Sequence, residues 1–336
     1  MKSATIAFTG PRQAELVELD VPDPGDCEYT IQSLVTLMSP GTELTCYRRD
    51  VEPGGHWDEW VQYPFYPGYS CVGRVIKVGN GVHELSAGDR VFCVESHRQF
   101  ATRSLERSEA LRIPDEISDE EAAWCKLATI TQTGVRLAEH VMGDTAVVIG
   151  LGPLGQLITP YLRLLGLREI LAIDPIQSRL DRAMDHGATA AFCGSAENAT
   201  DFVMKHTRSA LADVVYDVTG HHAVFPTALP LARQFGKVIL QGDSRHPTSQ
   251  HLTKDVLTRQ LRVLGSHNEC VPPEHAWWTA RRQRELFFQY LQRGQLRVSD
   301  LITDRCDPRE AAEVYARVAA DPGDSVGVIF DWRNQG

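Results

Sequence analysis

The sequence has little of what marks disulfide-rich, membrane-spanning or nucleic-acid-binding proteins. Its eight cysteines are scattered and include no C-x-x-C pair, so we expect neither a disulfide framework nor a cysteine zinc cluster. Apolar runs stay below the roughly 18 residues of a membrane span, and the first residues lack a signal-peptide core. Basic residues form no block and the net charge is −10, which argues against nucleic acid or anionic membrane as a partner. We therefore expect a cytoplasmic protein that binds a small molecule.

What is present indicates two domains. A length of 336 residues with 43% hydrophobic content is enough for two buried cores. Short glycine- and proline-punctuated strands occupy the first third, whereas strands alternate with helices after about residue 140. The fold class is therefore α/β. We predict a β-rich domain from residues 1–133 and 269–336, and a doubly wound domain with a parallel sheet from residues 134–268.

A glycine motif between two apolar strands predicts a dinucleotide site. The strand 145–149 leads into Gly150-Leu-Gly152-Pro-Leu-Gly155, a helical pattern follows, and a second strand ends at Asp174. Gly150 suits the tight turn, Gly152 lets a diphosphate approach the backbone, and Gly155 lets the helix pack closely on the strand. The helix N-terminus favours the negative charge of the phosphates. Asp174 lies where a carboxylate accepts hydrogen bonds from the adenosine ribose.

These residues favour NAD over NADP as the coenzyme. A 2′-phosphate would face the Asp174 carboxylate, although Arg179 could bind a phosphate or simply contact the adenosine side. Besides the three motif glycines, the predicted coenzyme contacts are Leu154, Thr133, Thr219 and Gly242. Thr133 and Thr219 could line the nicotinamide pocket or fill ordinary helix and turn positions.

Several motifs together resemble the medium-chain dehydrogenase/reductase superfamily over essentially the whole chain. They are Pro67-Gly68, Gly88-Asp-Arg-Val91, the glycine motif, Asp217-Val-Thr-Gly220, Glu310-Ala-Ala-Glu-Val-Tyr315 and Gly327-Val-Ile-Phe-Asp331. The resemblance implies a GroES-like catalytic domain, a Rossmann NAD(P)-binding domain and an oxidoreductase activity. It also implies a homodimer paired through the edge strand 261–265, because an exposed apolar edge otherwise invites aggregation.

The resemblance breaks at the zinc ligands. Where zinc-dependent members have C-x-T-D, G-H-E and a third cysteine or acid, this chain has Pro40-Gly-Thr-Glu43, Gly68-Tyr-Ser70 and, at or near the third position, Thr129. Proline, tyrosine and threonine cannot provide the roughly three ligands of a catalytic zinc. We therefore predict no metal. Ser39-Pro-Gly-Thr-Glu43 is similar to zinc-free members, including the branch that contains bacteriochlorophyllide a dehydrogenase.

Without zinc, polar side chains must manage the hydroxyl proton of an alcohol. By resemblance Thr42 contacts the substrate oxygen and Tyr69 points into the vacated ligand position, as a proton donor or acceptor. His97 is a candidate base. The predicted substrate-side residues are Glu95, Glu43, Trp57 and Thr129, with Glu43 more an ion-pair partner than a catalyst. Each also has an ordinary structural interpretation as a cap, packing or turn residue.

Three functions compete. The first is a zinc-independent, NAD-dependent dehydrogenase that oxidises a secondary hydroxyl of a sugar, polyol or hydroxylated metabolite to a ketone, or the reverse. The second is a zinc-free NAD(P)H-dependent reductase of enones or quinones, against which the polar Glu95 and His97 argue slightly. The third is a protein that binds NAD without catalysis.

Overall fold

A computed structural model describes residues 1–106, 109–321, 323 and 325–334. The chain divides into two compact units. Unit 1 comprises residues 1–50, 56–126 and 284–336, and unit 2 comprises residues 51–55 and 127–283.

Unit 1 is built mainly from antiparallel strands. Its elements are β1 (Lys2–Gly10), β2 (Gln13–Asp20), β3 (Glu28–Leu37), α1 (Pro40–Arg48), α2 (His56–Trp60), β4 (Cys71–Val78), β5 (Arg90–Cys93), β6 (Phe100–Ser104), β7 (Leu111–Arg112), α3 (Asp119–Ala122), β14 (Ile302–Cys306), α11 (Ala311–Ala320) and β15 (Gly327–Asp331). β1 and β2 form a hairpin, and the larger sheet runs β14-β15-β3-β4-β5-β7, with β6 also paired to β3. This is the predicted GroES-like, β-rich architecture.

Two local features of unit 1 have clear physical causes. Ser118 and Glu121 form a capping box, with each side chain bonded to the other's backbone N–H, and α3 begins there. Strand β3 is buried along most of its length because β4, β6 and β15 pair with it. Its last residues lead through Met38 into α1, so the sheet fixes the start of the helix that carries Thr42.

Unit 2 is a doubly wound α/β domain. Its elements are β8 (Thr145–Ile149), α5 (Pro153–Leu164), β9 (Glu169–Asp174), α6 (Gln177–Asp185), β10 (Ala190–Cys193), α7 (Thr200–His206), β11 (Ala212–Asp217), α8 (Phe225–Ala228), β12 (Ala232–Leu240), α9 (Lys254–Thr258) and β13 (Arg262–Gly265). All strand pairs are parallel, in the order β10-β9-β8-β11-β12-β13. The order reverses between β8 and β11, and ligands of such sheets bind beyond the carboxyl ends of the strands at that point.

The boundaries between the units fall within two helices, α4 (Cys125–Leu137) and α10 (Ala280–Gln292), and not at residues 133/134 and 268/269. Long-range bonds explain the difference. Thr129 donates to Glu269 at 2.8 Å, and the Gln132 amide donates to the Gln283 carbonyl at 2.9 Å. These bonds keep most of α4 and the segment after β13 with unit 2. No helix among the described residues combines the length and apolarity needed to cross a bilayer.

Candidate active site

The glycine loop after β8 has the geometry that a dinucleotide requires. Gly150 has φ +90°, a conformation that favours glycine, and a Cβ on Gly155 would lie 2.0 Å from the Gly150 carbonyl oxygen. A Cβ on Gly152, in contrast, would meet no described atom within 4 Å. Gly152 is the N-cap residue of α5 and Pro153 is the first helical residue. The three glycines thus give a turn, an open face and a close helix–strand contact; that the open face takes a diphosphate stays a prediction.

Asp174 closes the same loop. One carboxylate oxygen accepts the Leu151 N–H at 2.7 Å and the other accepts the Ile176 N–H at 2.9 Å. The residue is only 3% exposed. In this structure Asp174 therefore fixes the glycine loop through hydrogen bonds. Each of its oxygens keeps a second lone pair for a further donor such as a ribose hydroxyl.

The other predicted coenzyme residues differ in their placement. Thr219 follows β11, bonds to Asp217 and lies against Gly150, where a Cβ on the glycine would meet its methyl group at 2.8 Å. Gly242 follows β12 and packs on Gly220, with 2.3 Å between its hypothetical Cβ and the Gly220 nitrogen. These residues meet at the switch point of the sheet.

Leu154 and Arg179 are partly exposed on α5 and α6. Thr133 is fully buried and donates to the Thr129 carbonyl at 3.1 Å. The predicted contact of Thr133 with a ligand is therefore corrected to an ordinary helix-interior bond.

In unit 1, three hydroxyl groups come together at the start of α1. The Tyr69 phenol donates a short hydrogen bond to Ser39 Oγ and lies 3.4 Å from Thr42 Oγ1. Ser39 is the N-cap residue of α1, but its side chain caps no backbone N–H. Its oxygen is instead available to Tyr69. The structure thus brings the predicted Thr42 and Tyr69 together and adds Ser39, which the sequence analysis missed.

The Tyr69 phenol is held in its protonated form. Desolvation of the phenolate raises the pKa of Tyr69 to about 12, although the hydrogen bonds to Ser39 and Thr42 oppose this shift. The negative charge of Glu43 raises the pKa further. At neutral pH the phenol therefore carries its proton and can act as a hydrogen-bond donor, although the raised pKa makes it a weaker acid than free tyrosine and leaves little phenolate to accept a proton.

His97 does not reach this cluster. It is 0% exposed, its Nε2 lies 3.0 Å from Glu43 Oε2, and its Nδ1 lies 2.7 Å from Thr36 Oγ1. Glu43 is 1% exposed and accepts from the Ser39 N–H at 2.7 Å. Both ring nitrogens and both carboxylate oxygens have partners within unit 1. The predictions of His97 as a base and of Glu43 as a substrate contact are corrected accordingly, whereas the contact between Glu43 and His97 agrees with the predicted ion-pair role of Glu43.

Glu95 is likewise an internal ion-pair partner and not a pocket wall. It is 6% exposed, accepts from both the backbone N–H and the hydroxyl of Ser96, and lies 3.3 Å from Arg98 and 3.4 Å from Arg103. Two arginines and a serine therefore account for its charge. The inference of a polar substrate from Glu95 and His97 loses its structural basis.

Trp57 and Thr129, the remaining predicted substrate residues, are both buried. The rings of Trp57 and Trp60 make an edge-to-face contact with their centroids 5.5 Å apart. The indole N–H of Trp57 has no hydrogen-bond partner among the described residues. Thr129 is 0% exposed and donates to the half-buried Glu269. A substrate contact by Thr129 is corrected to this internal bond.

The carboxylate of Glu269 was missed by the sequence analysis. Its position just after β13, at the carboxyl edge of the sheet, is the signal that could have indicated it.

The side chains at the expected zinc-ligand positions are poor metal ligands. Pro40 has no side-chain donor, Tyr69 is protonated and bonded to Ser39, and Thr129 is bonded to Glu269. The nearby thiol of Cys46 is 0% exposed inside α1. Within the ranges that the structure describes, no three histidine, cysteine, aspartate or glutamate side chains form a group that could hold a metal. These residues do not fit a catalytic zinc.

Comparison with known proteins places the chain in a class. The family described as "Alcohol dehydrogenase GroES-like domain" matches residues 41–143, and "Zinc-binding dehydrogenase" matches residues 153–277. The chain is therefore an oxidoreductase of the medium-chain dehydrogenase/reductase superfamily, with the GroES-like and Rossmann-like domains of that superfamily.

Individual relatives are distant but match over most of their length. D-guloside 3-dehydrogenase of Shigella flexneri is 25% identical, with 97% of this chain and 99% of that protein covered. L-threonine 3-dehydrogenase of Thermococcus kodakarensis is 26% identical, with 87% of each covered. A solved structure from Escherichia coli CFT073, described as a short chain alcohol dehydrogenase in complex with NADH, has a TM-score of 0.81 at 19% identity, covering 98% of this chain and 99% of that one.

Proposed function

We propose that the protein is a zinc-independent, NAD-dependent dehydrogenase that interconverts a secondary alcohol and a ketone on a polar substrate such as a sugar, polyol or hydroxylated metabolite. The observation that carries the proposal is the hydroxyl cluster of Tyr69, Ser39 and Thr42. By the resemblance described above, Pro40 and Tyr69 take the positions of two zinc ligands. Relatives named for dehydrogenation at position 3 of a guloside and of threonine support the substrate class.

Unit 2 fits a dinucleotide. The open face at Gly152 and the start of α5 would take the diphosphate, and Asp174 would accept from the adenosine ribose. Carboxylate at this position supports NAD over NADP, because a 2′-phosphate would be repelled. When bound, the coenzyme supplies or accepts the hydride.

The chain's own residues handle the oxygen and its proton. In ketone reduction, the Tyr69 O–H would rotate from Ser39 Oγ to the substrate oxygen and transfer its proton as negative charge develops there, while the Ser39 hydroxyl donates to the phenol oxygen. Thr42 adds a second donor, and Ser39 orients the phenol. In alcohol oxidation the same oxygen must accept the proton, so the reaction depends on the small phenolate fraction. The superfamily's zinc would provide a Lewis acid at this point, but the residues present give it no ligand set, so no step is assigned to it.

A metal-depletion assay tests the proposal. The purified protein is dialysed against EDTA, its zinc content is measured by mass spectrometry, and oxidation of a polyol, glycoside and hydroxy-amino-acid panel is followed at 340 nm with NAD and NADP. Turnover that persists without zinc and prefers NAD is the expected result. Activity that disappears with EDTA and returns with zinc refutes the metal-free part.

Two other results would replace the proposal with a competing function. Oxidation of NADH or NADPH by enones or quinones, with no alcohol turnover, would indicate the reductase of activated double bonds. Coenzyme binding with no turnover of either class would indicate a non-enzymatic nucleotide-binding protein.

A further inference from the structure

Glu43 is a carboxylate in the interior of unit 1. It is 1% exposed and accepts three hydrogen bonds, from the Ser39 N–H at 2.7 Å, from His97 Nε2 at 3.0 Å and from the Tyr315 hydroxyl. Burying a carboxylate is costly unless such donors surround it. Ordinary packing does not require this arrangement, since an apolar side chain would fill the same volume without that cost.

His97 is held at both ring nitrogens. Its Nε2 lies 3.0 Å from Glu43 Oε2 and its Nδ1 lies 2.7 Å from Thr36 Oγ1. The Trp332 indole N–H donates to the same Thr36 oxygen at 2.9 Å. These contacts fix the orientation of the imidazole against the carboxylate of Glu43.

One residue connects this buried network to the hydroxyl cluster. The backbone N–H of Ser39 donates to Glu43, and the side-chain oxygen of Ser39 accepts from Tyr69. Thr42 immediately precedes Glu43 in α1. The carboxylate thus holds the first turn of α1, and that turn holds both hydroxyls that contact Tyr69.

We propose that Glu43 and His97 are a positioning pair that fixes Ser39 and Thr42 against Tyr69, so that the phenol is presented as a proton donor. The inference rests on the proposed function for its catalytic meaning, but the arrangement of Tyr69 can be tested without any turnover.

The charge of Glu43 acts against the hydrogen bonds of the cluster. Glu43 raises the pKa of Tyr69, whereas Ser39 and Thr42 lower it by hydrogen bonding. Glu43→Gln removes the charge while its amide oxygen can still accept the Ser39 N–H, so this variant should increase the phenolate fraction. Removing the Ser39 hydroxyl should decrease it.

Nitration by tetranitromethane measures this fraction, because the reagent attacks the phenolate. The rate at Tyr69 is measured at about pH 8 by peptide mass spectrometry in the wild type and in Glu43→Gln, which keeps the side-chain length. We expect nitration to be roughly threefold to tenfold faster in Glu43→Gln, the effect of half to one pKa unit. Glu95→Gln is the matched control, since Glu95 is a second buried glutamate of unit 1 with no contact to the cluster. An unchanged rate in Glu43→Gln, or equal acceleration in both variants, overturns the proposal.

Ser39→Ala keeps the test decisive if Glu43→Gln fails to fold. The change removes one hydroxyl group and leaves the backbone N–H that donates to Glu43 in place. It should slow nitration of Tyr69 below the wild-type rate. A rate equal to or above that of the wild type contradicts the connection through Ser39.

Activity provides a separate readout. If the protein is a dehydrogenase, Glu43→Gln should lower kcat about tenfold through misorientation, while the Kd for NADH changes less than about twofold. Equal loss in Glu43→Gln and Glu95→Gln would indicate a general structural effect and overturn the positioning role. If the wild type turns over no substrate, the proposed function fails, but the nitration rates still decide whether Glu43 controls Tyr69.

Discussion

Replacing Tyr69 by phenylalanine removes the hydroxyl that the proposed function uses as proton donor. The phenol makes two contacts, to Ser39 Oγ and to Thr42 Oγ1, and both partner hydroxyls survive in Tyr69→Phe. They can still hydrogen-bond a substrate oxygen but cannot reproduce the geometry of the phenol. We therefore expect kcat to fall by about tenfold to a hundredfold, or about 1.4 to 2.7 kcal/mol in activation free energy, the lower part of the range for general acid catalysis.

The same change should cost little stability. Tyr69 is half-buried, and a net hydrogen bond contributes about 1 kcal/mol. Tyr29→Phe is a matched control in the same unit, because Tyr29 is 0% exposed and its hydroxyl has no hydrogen-bond partner among the described residues. That variant should keep its kcat. The assay is steady-state ketone reduction with saturating NADH, with thermal unfolding measured in parallel. A kcat of Tyr69→Phe within about twofold of the wild type would refute the assignment of Tyr69 as the acid.

Four further predictions concern unit 2. Gly152→Ala should leave the melting temperature unchanged, because no described atom lies within 4 Å of the added Cβ, yet raise the Kd for NADH more than about tenfold by blocking the diphosphate; unchanged affinity by isothermal titration would contradict this. Gly155→Ala, in contrast, should lower the melting temperature by several degrees, since the added Cβ would lie 2.0 Å from the Gly150 carbonyl oxygen. Asp174→Asn should raise the ratio of kcat/KM for NADP to that for NAD by about tenfold, and a constant ratio would exclude the carboxylate as the discriminating group. Light scattering at micromolar concentration should give a dimer mass, because β13 ends the sheet with an unpaired edge.

Local signals predicted the parallel α/β fold and the glycine loop well. The conformations of Gly150, Gly152 and Gly155 depend on contacts within a few residues, and the parallel pairing of the sheet follows from alternating strands and helices. The capping box at Ser118 is likewise a local feature. In each case the residues that determine the geometry are close in sequence.

The substrate side was predicted less well, because long-range contacts decide it. His97 and Glu95 lie in a short polar segment that is typical of an exposed turn. In the structure His97 contacts Glu43 and Thr36, which are distant in sequence, and Glu95 pairs with Arg103. No pattern within the turn reveals those partners. The spacing of polar residues identified candidates, and only the fold distinguished the buried network from the hydroxyl cluster.

The protonation state of Tyr69 implies an asymmetry between the two directions of the reaction. Because the pKa of Tyr69 is about 12, the phenol is fully protonated across the neutral range and ketone reduction should not vary with pH until pH approaches that value. Alcohol oxidation instead needs the deprotonated oxygen, so log kcat should rise with a slope near one per pH unit below the pKa that applies with oxidised coenzyme bound. The raised pKa also gives a stability effect with a definite sign: the contribution of Tyr69 is present below pH 10 and is lost as pH rises toward 12. Parallel pH profiles for the two directions would contradict a single tyrosine acting as donor and acceptor. In Tyr69→Phe the pH dependence of oxidation should disappear, and its persistence would assign the proton to another group.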